Sequence, residues 1–256
     1  MRITVLLAGV VDPKWRLTSL AEPKLPRRLS PFDEAALETA LKLRDADAAA
    51  QVTAVLVGGA ETEPLARAVA AFRPHRCFRF AADPAALWDP AVAIRLLAAA
   101  VAATTPLPDL VLMGREFGDT DDGMLPPALA EAMGWPFCGL VHAVAAEAGT
   151  LLLRRSRGPR EEVLRRRGPV LASITNERGN RLRHPLMKNV MLSKRETLEV
   201  VAPPAVGTMP ALTLAALAVV PPPQRGGGAC RMPDGPIEAQ VEALAEYLRP
   251  YLPGGR

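Results

Sequence analysis

The densest group of chemically able side chains lies in one acidic loop, Gly114 through Pro127, which carries Glu116, Asp119, Asp121 and Asp122. Carboxylates this close could hold a cation or exchange protons. A metal site would want histidine or a second acidic patch beside them. The chain has only His75, His142 and His184, none at ligand spacing. No Ser or Cys is set as an elbow nucleophile beside a His partner, and His142 sits among apolar residues, as a core histidine does. Side-chain catalysis is not what these residues suggest.

Small residues suggest a different chemistry. Ala8-Gly9, Gly58-Gly59-Ala60 and the loop from Gly114 each follow an apolar run, ending at Leu7, Val57 and Met113. At the carboxyl end of a strand, small residues let backbone N–H groups approach a phosphate or an adenine edge. None of the three carries a Walker A sequence or the spaced glycines of a dinucleotide fingerprint.

The elements that must position these loops alternate through the first half of the chain. Ile3–Leu7, Gln51–Val57, Arg76–Phe80 and Leu110–Met113 read as strands. Phe32–Leu43, Glu61–Phe72, Pro90–Thr104 and Leu125–Met133 read as helices, the last stopped by Gly134. Ser30 reads as an N-cap, with Pro31 at the first helical position and acids in the first turn. This alternation predicts an α/β fold, a doubly wound, mostly parallel Rossmann-like sheet, with ligands at the carboxyl ends of its strands. After Gly139, Leu151–Leu153 and Val163–Leu164 flank Gly158-Pro159 as a small antiparallel extension, and Val170–Ile174 is another buried strand. The predicted division is an α/β domain over residues 1–200 and an extended Pro/Gly-rich C-terminal arm over 201–256, closed by a helix at Ile237–Tyr247.

Composition narrows the class. The 256 residues are 49% apolar but only 4% aromatic, which suits a globular chain of helices packed through small side chains. No apolar run is long enough to cross a bilayer, so no direct membrane insertion is expected. Met1–Leu7 reads as a first strand rather than a signal peptide, because Asp12-Pro13-Lys14 follows at once. Three scattered cysteines, Cys77, Cys138 and Cys230, fit a reducing, cytoplasmic setting. The net charge of +4 invites a nucleic-acid reading. The Arg154–Arg167 cluster has no interleaved aromatics, so it reads as a solvated hairpin face beside Glu161 and Glu162.

Leu29–Ala36, Val55–Ala60, Leu110–Arg115, Gly134-Trp135-Pro136, Asn189-Val190-Met191 and Pro222-Pro223-Gln224-Arg225, in order along nearly the whole chain, are similar to motifs of electron transfer flavoprotein beta subunits. Leu29-Ser30-Pro31-Phe32-Asp33-Glu34-Ala35-Ala36 resembles that family's Asn-Pro-Phe-(Asp/Cys)-Glu helix start, and Val55-Leu56-Val57-Gly58-Gly59-Ala60 its Gly-Pro-Ala turn. Leu110–Arg115, the acidic loop and Gly134-Trp135-Pro136 resemble its nucleotide loop and the helix that follows. Asn189-Val190-Met191 is similar to its Asn-Ile-Met, and Pro222-Pro223-Gln224-Arg225 to its Pro-Pro-Gln-Arg.

The resemblance implies an alpha subunit holding most of an FAD, a flavin-dependent dehydrogenase as donor, and a membrane quinone oxidoreductase as acceptor. It also implies AMP in this subunit, or a second FAD in electron-bifurcating members. The implied nucleotide site comprises Leu6, Ala8, Ser30, Pro31, Phe32, Asp33, Val57 and Gly58. From the acidic loop it takes Arg115, Asp119, Thr120, Asp121, Asp122, Gly123, Met124 and Leu125. The partner-recognition position falls on Met187, with Lys188 and Asn189 beside it.

The departures from the family pattern concentrate where a phosphate would sit. Ser/Thr/Cys-Asn-Gln-Thr-Gly is replaced by Asp122-Gly123-Met124-Leu125-Pro126, which removes two side-chain donors and one amide. A phosphate about 4 Å from a carboxylate is repelled by roughly 4 kcal/mol at an effective dielectric near 20. A helix N-terminus offsets about 1 kcal/mol of that. Weak AMP binding, an altered pose and no AMP are the three expectations. Asp-Gly-Gly of the family becomes Gly158-Pro159-Arg160, and its early Lys-Arg becomes Ala8-Gly9, the mark of a divergent member. A rival reading is a stand-alone nucleotide-binding regulator of the universal-stress type. It wants a Gly-rich phosphate loop followed by Ser/Thr after the fourth strand, which is missing. An adenylating enzyme would want a phosphate loop that Ala8-Gly9-Val10 does not supply.

Overall fold

A computed structural model describes residues 1–12, 14, 27–119, 121–204 and 233–251. In chain order the elements are β1 (Arg2–Leu7), β2 (Val10–Val11), β3 (Arg27–Arg28), α1 (Pro31–Ala46), β4 (Gln51–Val57), α2 (Glu63–Ala70), β5 (Arg76–Phe80), α3 (Pro90–Ala102), β6 (Leu110–Gly114) and α4 (Leu125–Ala132). They continue with β7 (Phe137–Glu147), β8 (Thr150–Arg157), β9 (Arg160–Arg166), β10 (Val170–Ile174), α5 (Met187–Ser193), β11 (Glu199–Val201) and α6 (Ile237–Leu248). Helix α6 belongs to a separate unit, Ala218–Arg256.

Nine strands form one sheet in the order β11-β5-β4-β1-β6-β10-β7-β8-β9. The pairs from β11 to β7 are parallel, and β8 and β9 add antiparallel to the edge. From β1 the chain winds outward through β4 and β5, then returns through α3 to β6 on the other side of β1. The winding direction therefore reverses between β1 and β6, where Leu6 pairs with Met113. A crevice opens at such a point, outside the strand ends.

Side chains alternate across the central strands, so the sheet has an apolar layer on each face. Ile3, Val5 and Leu7 of β1 pack with Leu37 and Leu41 of α1 and Leu65 and Val69 of α2. Leu6, with Val57, Phe80, Val111 and Met113, packs against Leu97 of α3 and Leu129 of α4. Each such leucine, buried on both sides, contributes about 2 kcal/mol relative to exposure. This is the doubly wound, mostly parallel sheet that the strand and helix alternation predicts.

The antiparallel extension is larger than the predicted pair. Besides β8 and β9 it includes the 11-residue β7, whose last three residues, Ala145, Ala146 and Glu147, are exposed. Arg155 and Glu162 bridge the hairpin at 2.7 Å, in keeping with a solvated charged face. His142 on β7 is half-buried rather than in the core, with Nε2 3.6 Å from a Glu161 carboxylate oxygen. Among the described residues no helix is long and apolar enough to cross a membrane. Cys230, the motif at 222–225 and most of the predicted arm lie outside the described residues.

Candidate functional site

The crevice at the reversal point is lined by the ends of three strands. Ala8 follows β1, Val57 and Gly58 end β4, and Phe117, Gly118 and Asp119 follow β6. Arg27, Glu61, Thr62, Leu87, Trp88 and Leu125 complete a cleft of about 450 Å3 out to its open mouth. Of the residues that the resemblance implies for a nucleotide site, Ala8, Val57, Gly58, Asp119 and Leu125 line this cleft.

The helix-start segment beside the cleft is built as a double cap. Ser30 Oγ accepts the Asp33 amide at 2.9 Å, and Asp33 Oδ2 accepts the Ser30 amide at 3.2 Å. The same Oδ2 accepts the Gly9 amide at 3.1 Å, which ties the turn after β1 to α1. Asp33 is fully buried, and that burial pushes its carboxyl up to about 6 against the lowering effect of the Ser30 and Gly9 donors. Phe32 lies 5.7 Å beneath the Arg115 guanidinium, while Pro31 is exposed. Leu6 lies under the cleft in the sheet core, fully buried.

Gly114 explains how α1 and β6 come so close. A Cβ there would stand 2.8 Å from Phe32 Cβ and 2.9 Å from its carbonyl carbon. No side chain fits, so the strand end and the helix start approach through glycine.

The acidic loop folds onto its own carboxylates. Asp119 accepts the Val11 amide at 2.8 Å and pairs with Arg27 at 3.0 Å, fastening β2 and β3 over the cleft. Asp121 Oδ2 accepts the Phe117 amide at 2.9 Å. Its Oδ1 accepts the amides of Gly123 at 3.0 Å, Met124 at 2.8 Å and Leu125 at 3.2 Å. Asp122 and Met124 are exposed, and Arg115 pairs loosely with Glu116 at 3.4 Å. Thr120 lies outside the described residues. Among the described residues no group of three or more His, Cys, Asp or Glu side chains is arranged to hold a metal ion. Burial pushes the Cys77 thiol up to about 12 and raises Cys138 as well, so neither is a ready nucleophile.

The recognition positions lie elsewhere. Met187 opens α5 and is 75% exposed; Leu186 before it is 71% exposed. Lys188 is exposed and Asn189 half-buried. The helix sits beside α2, where Arg67 donates to the carbonyls of Ser193 and Glu196.

Comparison with known proteins gives this geometry a family. A family model described as the electron transfer flavoprotein domain matches residues 18–206. The chain belongs to the electron transfer flavoprotein family. It is 26% identical over 236 residues to "Electron transfer flavoprotein subunit beta" of Homo sapiens, covering 89% of this chain and 91% of that one. The mitochondrial subunit beta of Oryza sativa subsp. indica is 26% identical over 259 residues, covering 97% and 98%. The subunit beta of Bradyrhizobium diazoefficiens is 24% identical over 206 residues, covering 77% and 80%. The similarity to beta subunits spans the chain at low identity, which makes it a divergent beta-type member and a flavoprotein component.

Measured against the AMP that the family resemblance implies, the cleft does not fit a phosphate. The three amides that converge before α4 already serve Asp121, and Pro126 and Pro127 bring none. Sequence reasoning named Ala8, Val57, Gly58, Asp119 and Leu125 of the cleft lining; it placed Phe117 and Gly118 only within the acidic loop and did not name Arg27, Glu61, Thr62, Leu87 or Trp88. The only signal for Glu61 and Thr62 was their place directly after Gly58-Gly59-Ala60. Arg27 and Trp88 carry no local signal, because tertiary folding alone brings them to the strand ends.

Proposed function

We propose that this chain is the beta subunit of a heterodimeric electron transfer flavoprotein. In this reading it carries electrons from a flavin-dependent dehydrogenase, of the acyl-CoA or N-methyl-amine type, to an acceptor such as a membrane quinone oxidoreductase. FAD held mainly by the alpha subunit supplies the redox chemistry. The chain itself has no catalytic side chain in this role: it shapes the complex and offers the docking surface.

One observation carries the reading. On a chain similar to beta subunits along its length, the position that the resemblance assigns to partner recognition is a solvent-facing apolar tip. Leu186 and Met187 are 71% and 75% exposed, and Met191 is exposed one turn on. Exposed apolar side chains gathered on so short a helix are what a partner pocket would bury. The flexible thioethers of Met187 and Met191 suit such a pocket. Residues 1–200 form the nucleotide-fold domain in this proposal, and residues 201–256 pack on the alpha subunit. Scattered cysteines without a disulfide framework support a cytoplasmic place of action.

Co-expression with an alpha subunit encoded beside it tests the proposal. A yellow 1:1 heterodimer that accepts electrons from a flavin-dependent dehydrogenase supports it. A colourless monomer, purified with that alpha subunit present, overturns it.

A further inference from the structure

The first turn of α4 is where the family resemblance puts an AMP phosphate, and in this chain that place is already satisfied from within. Asp121 Oδ1 gathers the amides of Gly123, Met124 and Leu125 at 2.8 to 3.2 Å. Pro126 and Pro127 have no N–H to offer, and the Ala128 amide closes on the Met124 carbonyl at 3.2 Å. From Gly123 to Ala128, then, every amide has an acceptor.

The surrounding charge works in the same direction. Arg27 is the only cation among the described residues that line the cleft. It is held by Asp119 at 3.0 Å and donates to the Gly9 carbonyl at 3.3 Å. Glu61 and Asp119 bring two carboxylates to the same lining, so negative charge outnumbers positive there. An incoming phosphate would have to displace Asp121 from its amides and then face the displaced carboxylate.

We propose that Asp121 is a built-in replacement for the nucleotide phosphate, so that this chain holds its acidic loop without AMP and discriminates against phosphate-bearing ligands at this site. The proposal deepens the beta-subunit reading, on which it rests for its expectation of AMP. It assigns the loop-ordering work of a bound anion to one side chain. That carboxylate also fixes the loop to Phe117 through its second oxygen, at 2.9 Å.

The test has two readouts that do not depend on electron transfer. Nucleotides released by denaturing the flavin-containing complex are separated and counted. FAD without AMP is the expected result, and stoichiometric AMP overturns the proposal. AMP and adenosine are then titrated calorimetrically into the complex and into the full-length chain alone, so the claim is tested even if no heterodimer forms. Asp121→Ala, which frees the three amides and removes the charge, is expected to raise AMP affinity by at least ~10-fold while adenosine moves by less than ~3-fold. Asp121→Asn keeps the acceptor oxygen without the charge and serves if the alanine variant fails to fold; a smaller gain of the same sign is expected. No gain for AMP in a folded variant, or an equal gain for adenosine, overturns the role given to Asp121.

Discussion

Asp33 Oδ2 accepts the Gly9 amide at 3.1 Å, so one buried carboxylate joins the turn after β1 to the first turn of α1. Its other oxygen, Oδ1, is buried with no hydrogen-bond partner among the described residues. Burial lifts the carboxyl from 3.8 to about 6, so the folded chain keeps this proton at pH values where the unfolded chain has lost it. The stability from this group is full below about pH 4 and is lost as pH rises through about 6. Roughly two pH units correspond to at most about 3 kcal/mol. Asp33→Asn removes the titration. The stability of the native chain relative to this variant is therefore expected to fall by about 1–3 kcal/mol between pH 4 and pH 7, by urea denaturation. A difference that stays constant across that range contradicts the assignment.

Gly114→Ala tests the close approach of β6 to α1. The added methyl meets Phe32 Cβ at 2.8 Å and the Phe32 carbonyl carbon at 2.9 Å, and neither is the tip of a flexible side chain. Overpacking of this kind costs about 1–3 kcal/mol. The denaturation midpoint should drop accordingly; an unchanged midpoint means the two elements are not packed this closely.

A long-range clamp outside the cleft makes a separate test. Arg183 donates from Nε and Nη2 to Glu38 at 2.8 to 3.2 Å and also pairs with Asp45, which joins the segment after β10 to α1. Glu38 is only 4% exposed. Arg183→Ala leaves that carboxylate buried without its cation and is expected to cost about 3 kcal/mol. Combining Arg183→Met with Glu38→Gln should cost less than Arg183→Ala alone, since no charge is left stranded. If the double variant is the less stable, the clamp is not working through charge.

How much of this was legible in advance depends on how local each cause is. Gln51–Val57 and Ile3–Leu7 could be read because strands buried on both faces are continuous apolar runs, whatever their neighbours. The cap of α1 was equally plain, since Ser30, Pro31 and Asp33 act within one turn. The bond from Asp33 back to Gly9 was not, because it joins residues 24 apart and needs the finished sheet. Strand β7 carries a weak sequence signal because Gly139 and small residues interrupt its pattern and its last three residues are exposed. Helix α5 was hidden for a similar reason: seven residues are too few for a period, and Arg67, 126 residues before Ser193, helps hold its end. In the acidic loop the carboxylates were visible. That one of them turns inward onto Gly123, Met124 and Leu125 is a property of the folded loop.

Met187→Asp separates docking from assembly. Met187 is 75% exposed and lies at the start of α5, so a charge there disturbs no core. The flavin content of the complex should be unchanged. Electron transfer from the dehydrogenase should weaken by ~10-fold or more in KM, the scale of a lost interface anchor. Equal rates for variant and native complex would place recognition elsewhere.

The most direct test of the beta-subunit assignment is native mass spectrometry of this chain co-expressed with its alpha subunit. The expected species is one copy of each chain with FAD bound and no AMP. A spectrum of the free chain alone, without flavin, while the alpha subunit is present and folded, would contradict it.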